Sequence, residues 1–356
     1  MEIRTLKFHE RSTAASVLDE WRLAEGWTAG DRFRRQTKFD PRYSDENVWA
    51  AFVGDEIASI LTVFPRQLRI LGHSVPVGGI GNLMTSRSHR GKGFATKVLE
   101  QALAAMRERG LELAIYFSGA SPASADPVRT QGWHKWGGQR TILRSALATA
   151  DHPTPKIADS ESIVLESVGR DNKRALQSVK PIHAAYAASR SGSVERDDDL
   201  WQACLDLTPA PLEEFWIAYR GGLAVAYLRA SIVEDVLTIT EFGRFEDGAG
   251  ALARLIATLL EPREADVLAR GSISSSELRS FIILPTFDDI GLSVALEGRG
   301  IHSHPMDDPG ASLRCVNLIG FAARLDVDLL PGEDGPQFLA RILPPNAMVF
   351  WPADRF

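Results

Sequence analysis

Apolar and polar positions switch between two periods along the first part of the chain. Glu2–Lys7 alternates as a short strand, and His9–Trp27 sets Ala15, Val17, Leu18, Trp21 and Leu23 at helical spacing before Gly26. Asp31–Asp45 reads as a polar, arginine-rich linker carrying Phe33, Phe39 and Tyr43. Asn47–Val53 then turns at Gly54-Asp55 into Glu56–Leu71, a hairpin signal, and Val75–Thr85 follows Gly72-His73 as a third strand. Past a glycine-spaced loop, Leu99, Ala102, Leu103 and Met106 return to helical spacing, ending in basic Arg107–Arg109 and the stop at Gly110. Leu111–Phe117 is a buried-strand run, Ser118–Arg129 is a short Ser/Ala-rich stretch, and Gly132-Trp133 with Thr141–Leu143 suggests a closing strand pair. This order predicts an α+β fold with a mixed, mostly antiparallel sheet and flanking helices.

Ala146–Lys156 is rich in loop formers and marks a boundary. Beyond it the order repeats. Ser162–Val168 reads as a strand, Asp171–Arg190 as a helix, and Leu200–Leu205 as a helix that Asp199 could cap. Phe215–Tyr219, Ala224–Ile232 and Val236–Phe242 form a meander, Ala249–Leu260 an amphipathic helix, and Asp266–Ile273 a further strand. The predicted layout is a first domain at 1–145, a linker at 146–158, a second domain at 159–300 and a C-terminal region at 301–356. In that last region His302, His304, Asp307 and Asp308 are metal-ligand types, but Pro305 and Pro309 argue for a surface turn, and no metal is expected.

Composition narrows the classes. Forty-four per cent of the 356 residues are hydrophobic and 24% charged, as in an ordinary globular protein. The net charge of −6 gives a nucleic-acid partner no electrostatic support and suits a cationic substrate. Cys204 and Cys315, the two cysteines, have no metal or redox spacing. No signal-peptide pattern and no apolar run near ~18 residues is present. The expectation is a cytoplasmic protein with no membrane contact.

The chemistry concentrates at Gly79–Gly110. A strand ends, Arg90-Gly91-Lys92-Gly93 follows, and an amphipathic helix begins. Such a junction offers unpaired N–H groups and the positive end of a helix dipole to an anion, and glycines let that anion approach the backbone. A dinucleotide fingerprint would need a third glycine where Thr96 stands, and a P-loop would need Gly-Lys-Ser/Thr where Gly93-Phe94-Ala95 stands. The segment Ser88-His89-Arg90-Gly91-Lys92-Gly93, behind strand Leu83-Met84-Thr85, resembles the acyl-CoA loop, Gln/Arg-x-x-Gly-x-Gly/Ala, of the GNAT superfamily of N-acetyltransferases. Read in that register, Ser88 departs from the first position. The resemblance covers roughly Met1–Arg144.

That resemblance implies acetyl-CoA as co-substrate. Its pyrophosphate would lie on Arg90, Gly91, Lys92, Gly93, Phe94, Ala95 and Thr96, and its pantetheine arm along the backbone of Leu83, Met84 and Thr85. Many family members carry a general-acid Tyr four residues before a Gly-aromatic pair. Gly132-Trp133 matches that pair, but Val128 stands at the Tyr position, leaving Ser118 and Ser124 near the expected sulfur position. In the second half Glu241-Phe242-Gly243-Arg244-Phe245-Glu246-Asp247-Gly248 replaces the loop with carboxylates hostile to phosphate. Two tandem GNAT-like domains, the second degenerate, resemble the Eis-like group. There the C-terminal carboxylate enters the active site, which makes Phe356 a candidate base, and self-association is a further implication. Trp27, Tyr43 and Glu46 fall in the region covering the acceptor site. The reading is transfer of an acetyl group to a primary amine of a small cationic molecule. A non-catalytic acyl-CoA sensor or interaction module is the alternative.

Overall fold

The computed structural model describes residues 1–23, 27–117, 132–145, 162–168, 172–207, 213–233, 236–260, 282–285, 289–344 and 348–349. In chain order these give β1 (Glu2–Thr5), α1 (Arg11–Leu18), α2 (Ala29–Phe39), β2 (Val48–Val53), β3 (Glu56–Ile70), β4 (His73–Thr85), α3 (Phe94–Glu108), β5 (Leu113–Phe117) and β6 (His134–Ser145). The second half continues as β7 (Ile163–Ser167), α4 (Lys173–Ala188), α5 (Asp198–Leu207), β8 (Glu214–Arg220), β9 (Leu223–Val233), β10 (Val236–Arg244), α6 (Ala249–Leu260), β11 (Ile282–Pro285) and α7 (Ile290–Glu297). It closes with β12 (Ile301–Cys315), α8 (Leu318–Arg324) and α9 (Gly335–Ile342).

All strands join one sheet in the order β1-β2-β3-β4-β5-β12-β6-β11-β10-β9-β8-β7. The two halves mirror each other across it. Each runs through three antiparallel pairings, β1 to β4 and β7 to β10, and then a parallel one, β4–β5 and β10–β11. At the centre they trade strands: β12, late in the chain, pairs with β5, and β6, from the first half, pairs with β11. β6 and β12 pair with each other, so no free edge remains between the halves.

Period-two alternation sorts the first half into two cores. Val48, Ala50, Phe52 and Ile60 face α1 and α2, while Ala51, Leu61, Val63 and Ile80 face α3. Val98, Leu99 and Met106 of α3 are buried in the latter core. At ~1.5–3 kcal/mol per fully buried side chain of this size, packing far outweighs helix propensity in fixing where α3 lies.

The predicted hairpin, third strand, central helix, β5, meander and α6 are all present near their expected bounds. Five readings change. The linker at Asp31–Asp45 contains α2, whose buried positions are Ala29, Gly30, Phe33 and Gln36. A seam made partly of glycine and glutamine hid the helical period. The helix expected over His9–Trp27 ends at Leu18, after which Leu23 N–H donates to Trp27 O and Ala29 N–H to Trp21 O, at 2.8 and 2.9 Å. The closing pair is one strand, β6. The turn expected at His302–Asp308 is the first part of β12, which among the described residues pairs there with β6 alone. With no second strand there among the described residues, Pro305 is tolerated, and the register shift between Asp308 and Ala311 takes up the residues between. At α5 the capping carboxylate is Asp197, which accepts from Leu200 N–H at 2.9 Å, rather than Asp199. The strand expected near Asp266–Ile273 lies outside the described residues.

Candidate acyl-CoA site

β4 and β5 stay paired only from Val77–Leu113 to Ile80–Tyr116. Among the described residues Gly81–Thr85 therefore continue without a strand partner on that side. On its other side β4 is bulged: Thr62 pairs with Gly81 and Ile60 with Met84, leaving Asn82 and Leu83 opposite Leu61 alone. The bulge leaves backbone groups of Asn82 and Leu83 outside the regular β3–β4 ladder. Past it, Ser59 Oγ donates to the Met84 carbonyl at 2.8 Å and lies 3.1 Å from Thr85 Oγ1, tethering the end of the strand.

After Thr85 a 3-10 turn, Arg87–His89, leads into the loop, and α3 starts at Phe94 with Gly93 as N-cap. Gly91 and Gly93 both hold φ at 75°, the left-handed region, and a Cβ added to either would meet nothing within 4 Å. The glycines are thus required by backbone conformation, and the space beside them is open. The N–H groups of Phe94, Ala95 and Thr96 have no intrahelical acceptor, as in any first turn. Together with the α3 dipole they are an arrangement that can receive an anion. His89, only 9% exposed, braces the loop from below. Its Nδ1 lies 2.9 Å from both Ser86 Oγ and Ser88 Oγ, and its ring packs 5.8 Å from that of Phe94.

Placing the helix start at Phe94 also corrects the motif register. Counted from Arg90, the segment Arg90-Gly91-Lys92-Gly93-Phe94-Ala95 satisfies Gln/Arg-x-x-Gly-x-Gly/Ala without departure. Ser88 belongs to the preceding turn. The Arg90 guanidinium lies 4.4 Å from the Trp21 ring, with Nε donating to Thr85 O at 3.4 Å, so it ties the α1–α2 connection to the loop. Lys92 is exposed.

The acceptor-side candidates are dispersed. The Tyr43 hydroxyl donates to Asp45 at 2.7 Å, Asp45 is paired with Arg11, and the Tyr43 ring stands edge-on to Phe33. Burial pushes the Tyr43 phenol well above its ordinary pKa. Glu46 is exposed, its carbonyl accepting from Arg109 at the far end of α3. Trp27 lies 5.1 Å from the Arg35 guanidinium, which also donates to Asp206 O on α5. Ser118, Ser124 and Phe356 lie outside the described residues. Sequence reasoning missed Asn82, Gln36 and Thr62, which meet at the bulge. Asn82 Nδ2 donates to Gln36 Oε1 at 2.9 Å and to Thr62 Oγ1 at 3.1 Å.

The second half has the corresponding bulge, between Ile239 and Glu241, but not the loop. Only Phe245–Gly248 separate β10 from α6, so Arg90–Gly93 have no counterpart. Glu241 is fully buried, 2.9 Å from Arg196 and 3.3 Å from Arg229, and accepts from the Tyr227 hydroxyl at 2.6 Å. These partners hold its carboxyl well below the usual range despite the burial that opposes them. Of the turn's carboxylates, Asp247 pairs with Arg220 at 2.8 Å. Among the described residues, no three potential metal ligands cluster, and no helix is long and apolar enough to cross a membrane.

Comparisons with known proteins agree with this geometry. Residues 3–135 match the family described as "Acetyltransferase (GNAT) domain". An uncharacterized N-acetyltransferase of Streptomyces avermitilis is 27% identical over 178 residues, which span 48% of this chain and 41% of the relative. A GCN5-related N-acetyltransferase from Anabaena variabilis superposes with a TM-score of 0.62 at 14% identity, covering 90% of this chain and 74% of that one. Eis1 from Mycobacterium abscessus gives 0.59 at 18% identity, covering 91% and 76%. At such identities the structures speak for the fold, while the domain match speaks for descent. Residues 3–135 thus carry a GNAT acetyltransferase domain, and the chain spans less than half the length of the curated relative it matches.

Proposed function

We propose that this protein transfers an acetyl group from acetyl-CoA directly to a primary amine of a small cationic molecule. The observation that carries the reading is the junction itself: a strand that splays and bulges, a double-glycine loop in left-handed conformation, and the open N-terminus of α3. The first-turn amides and Lys92 would take the pyrophosphate, and backbone groups freed by the bulge would receive the thioester carbonyl. The neutral amine nitrogen attacks that carbonyl carbon, the C–S bond breaks as the tetrahedral adduct collapses, and the proton lost by nitrogen ends on the CoA sulfur. The described residues supply no activated thiol for an acyl-enzyme route. Cys315 is pushed up to about 12 by burial, and Cys204 lies in the other half on α5. The net charge of −6 favours a cationic acceptor. We read the second half as a degenerate copy of the first, retained for the fold.

The test is calorimetric titration of acetyl-CoA, followed by thiol release with a panel of polyamines, aminoglycosides and lysine peptides. Saturable binding with turnover of a small amine supports the proposal. Binding without turnover makes the protein an acyl-CoA sensor, and absence of binding refutes the reading of the loop.

A further inference from the structure

Among the described residues, three that are not glycine hold positive φ: Leu71, Asn82 and Asp326. Two of these have ordinary explanations. Leu71, with Gly72, makes the tight turn between β3 and β4, and Asp326 follows the end of α8. Left-handed residues are routine in both settings. Asn82, at φ 51°, stands inside a strand, on the bulge at the candidate acyl-CoA site. A left-handed residue there costs roughly 1–2 kcal/mol, somewhat less for asparagine, and persists only where its surroundings impose it.

The surroundings are specific. The Asn82 amide is clasped from two elements, by Gln36 of α2 and by Thr62 of β3. Gln36 and Thr62 are 4% and 1% exposed. Gln36 thereby gains a reason to occupy the buried seam of α2, where an aliphatic residue would pack more cheaply. The second half supplies an internal control. Its bulge residue, Thr240, is not left-handed, and that half lacks the loop as well. The twisted bulge and the glycine loop occur together.

We propose that Asn82, clasped by Gln36 and Thr62, is the positioning residue that aims the bulge's free backbone N–H at the thioester carbonyl. The left-handed twist would turn the peptide following Asn82 away from β3, toward the side where, among the described residues, β4 has no partner past Ile80. The clasp stops it from relaxing into regular pairing. Asn82 itself does not touch the reacting atoms. This inference rests on the acetyl-transfer reading above.

The experiment compares wild type, Asn82→Gly and Gln36→Leu. Glycine keeps the left-handed backbone without strain, so Asn82→Gly retains the fold and loses only the clasp. The primary readout is the carbonyl resonance of bound 1-¹³C-acetyl-CoA, which moves downfield when a hydrogen bond polarises the thioester. The proposal expects that shift in wild type and its loss in both variants, with KM for acetyl-CoA little changed. It also expects kcat for amine transfer to fall roughly 10- to 100-fold, less than deleting an oxyanion donor outright. Asn82→Gly combined with Gln36→Leu should be no worse than the worse single variant, because both act through one clasp. A wild-type carbonyl shift preserved in Asn82→Gly overturns the proposal, as does bound acetyl-CoA with no shift in wild type. A shift present in wild type and lost in the variants, without turnover of any amine, would sustain the positioning role while refuting the transferase reading.

Discussion

Replacing Gly93 with alanine separates what the loop does for the fold from what it does for the ligand. Gly93 sits at φ 75° at the head of α3, and its missing Cβ would meet no protein atom within 4 Å. The cost to the unliganded protein is therefore backbone strain alone, about 1–2 kcal/mol. The cost to binding adds to this, because the new methyl enters the open space through which a pyrophosphate must approach the first-turn amides. Forfeiting one charge-assisted hydrogen bond is worth ~1.5–3 kcal/mol, so Kd for acetyl-CoA should rise about 10- to 100-fold. Gly110→Ala is the matched control. Gly110 has the same φ of 75° and the same empty surroundings, but lies past the other end of α3. Calorimetry on both variants, with thermal melts, should show similar losses of stability and a loss of affinity in Gly93→Ala alone. Equal affinities in the two variants would show that the phosphate does not sit on this loop.

Glu241→Gln should destabilise the protein by about 3–5 kcal/mol in urea titrations, because Arg196 and Arg229 stay buried without their shared carboxylate. The same carboxyl, depressed in the fold, contributes stability above its unfolded pKa that is lost as pH falls through its folded value, so the wild-type advantage over Glu241→Gln should shrink in acid. Thr28→Ala removes the acceptor for Asp31 N–H, 2.9 Å away at the start of α2, and should cost roughly 1 kcal/mol, read as a lower urea midpoint. A chain ending at Ser145 should aggregate or fail to bind acetyl-CoA, since β5 and β6 lose β12 as their neighbour; a soluble, binding-competent fragment would contradict that dependence.

What the sequence shows well is local. The strands from β2 to β4 and the helix α3 announce themselves because one face of each is continuously apolar, and the loop because only glycine serves at two of its positions. What it hides is relational. α2 was invisible because its buried seam contains Gly30 and Gln36, and Gln36 is explained only by Asn82, far along the chain. Tyr43 reads as a substrate contact, yet its partners Phe33, Asp45 and Arg11 converge on it from three segments. The exchange of β6 and β12 leaves no local mark at all. Both strands carry the same alternation whichever half they join, and pairing between strands this distant is decided by the assembled sheet.

Strand register makes the two halves comparable residue by residue. The first pair past the bulge is Ile60–Met84 in one half and Arg229–Glu241 in the other. Ile60 is buried in the core beneath α1 and α2, and Met84 packs against that core. At the equivalent positions beneath α4 and α5, Arg229 and Glu241 join Arg196, His183 and Tyr227 in a buried ionic cluster. Arg196 comes from the segment between α4 and α5, whose neighbour Glu195 bonds to Arg69 of β3 in the first half. Positions that are apolar in the first half are thus charged in the second, and the adjoining Arg69–Glu195 pair links the halves. If the second half is a degenerate copy, a glycine loop restored between β10 and α6 should not by itself confer acetyl-CoA binding, because the bulge there lacks the left-handed residue. Where the second half holds this buried ionic cluster, the first half holds an apolar Met84 and a clasped Asn82.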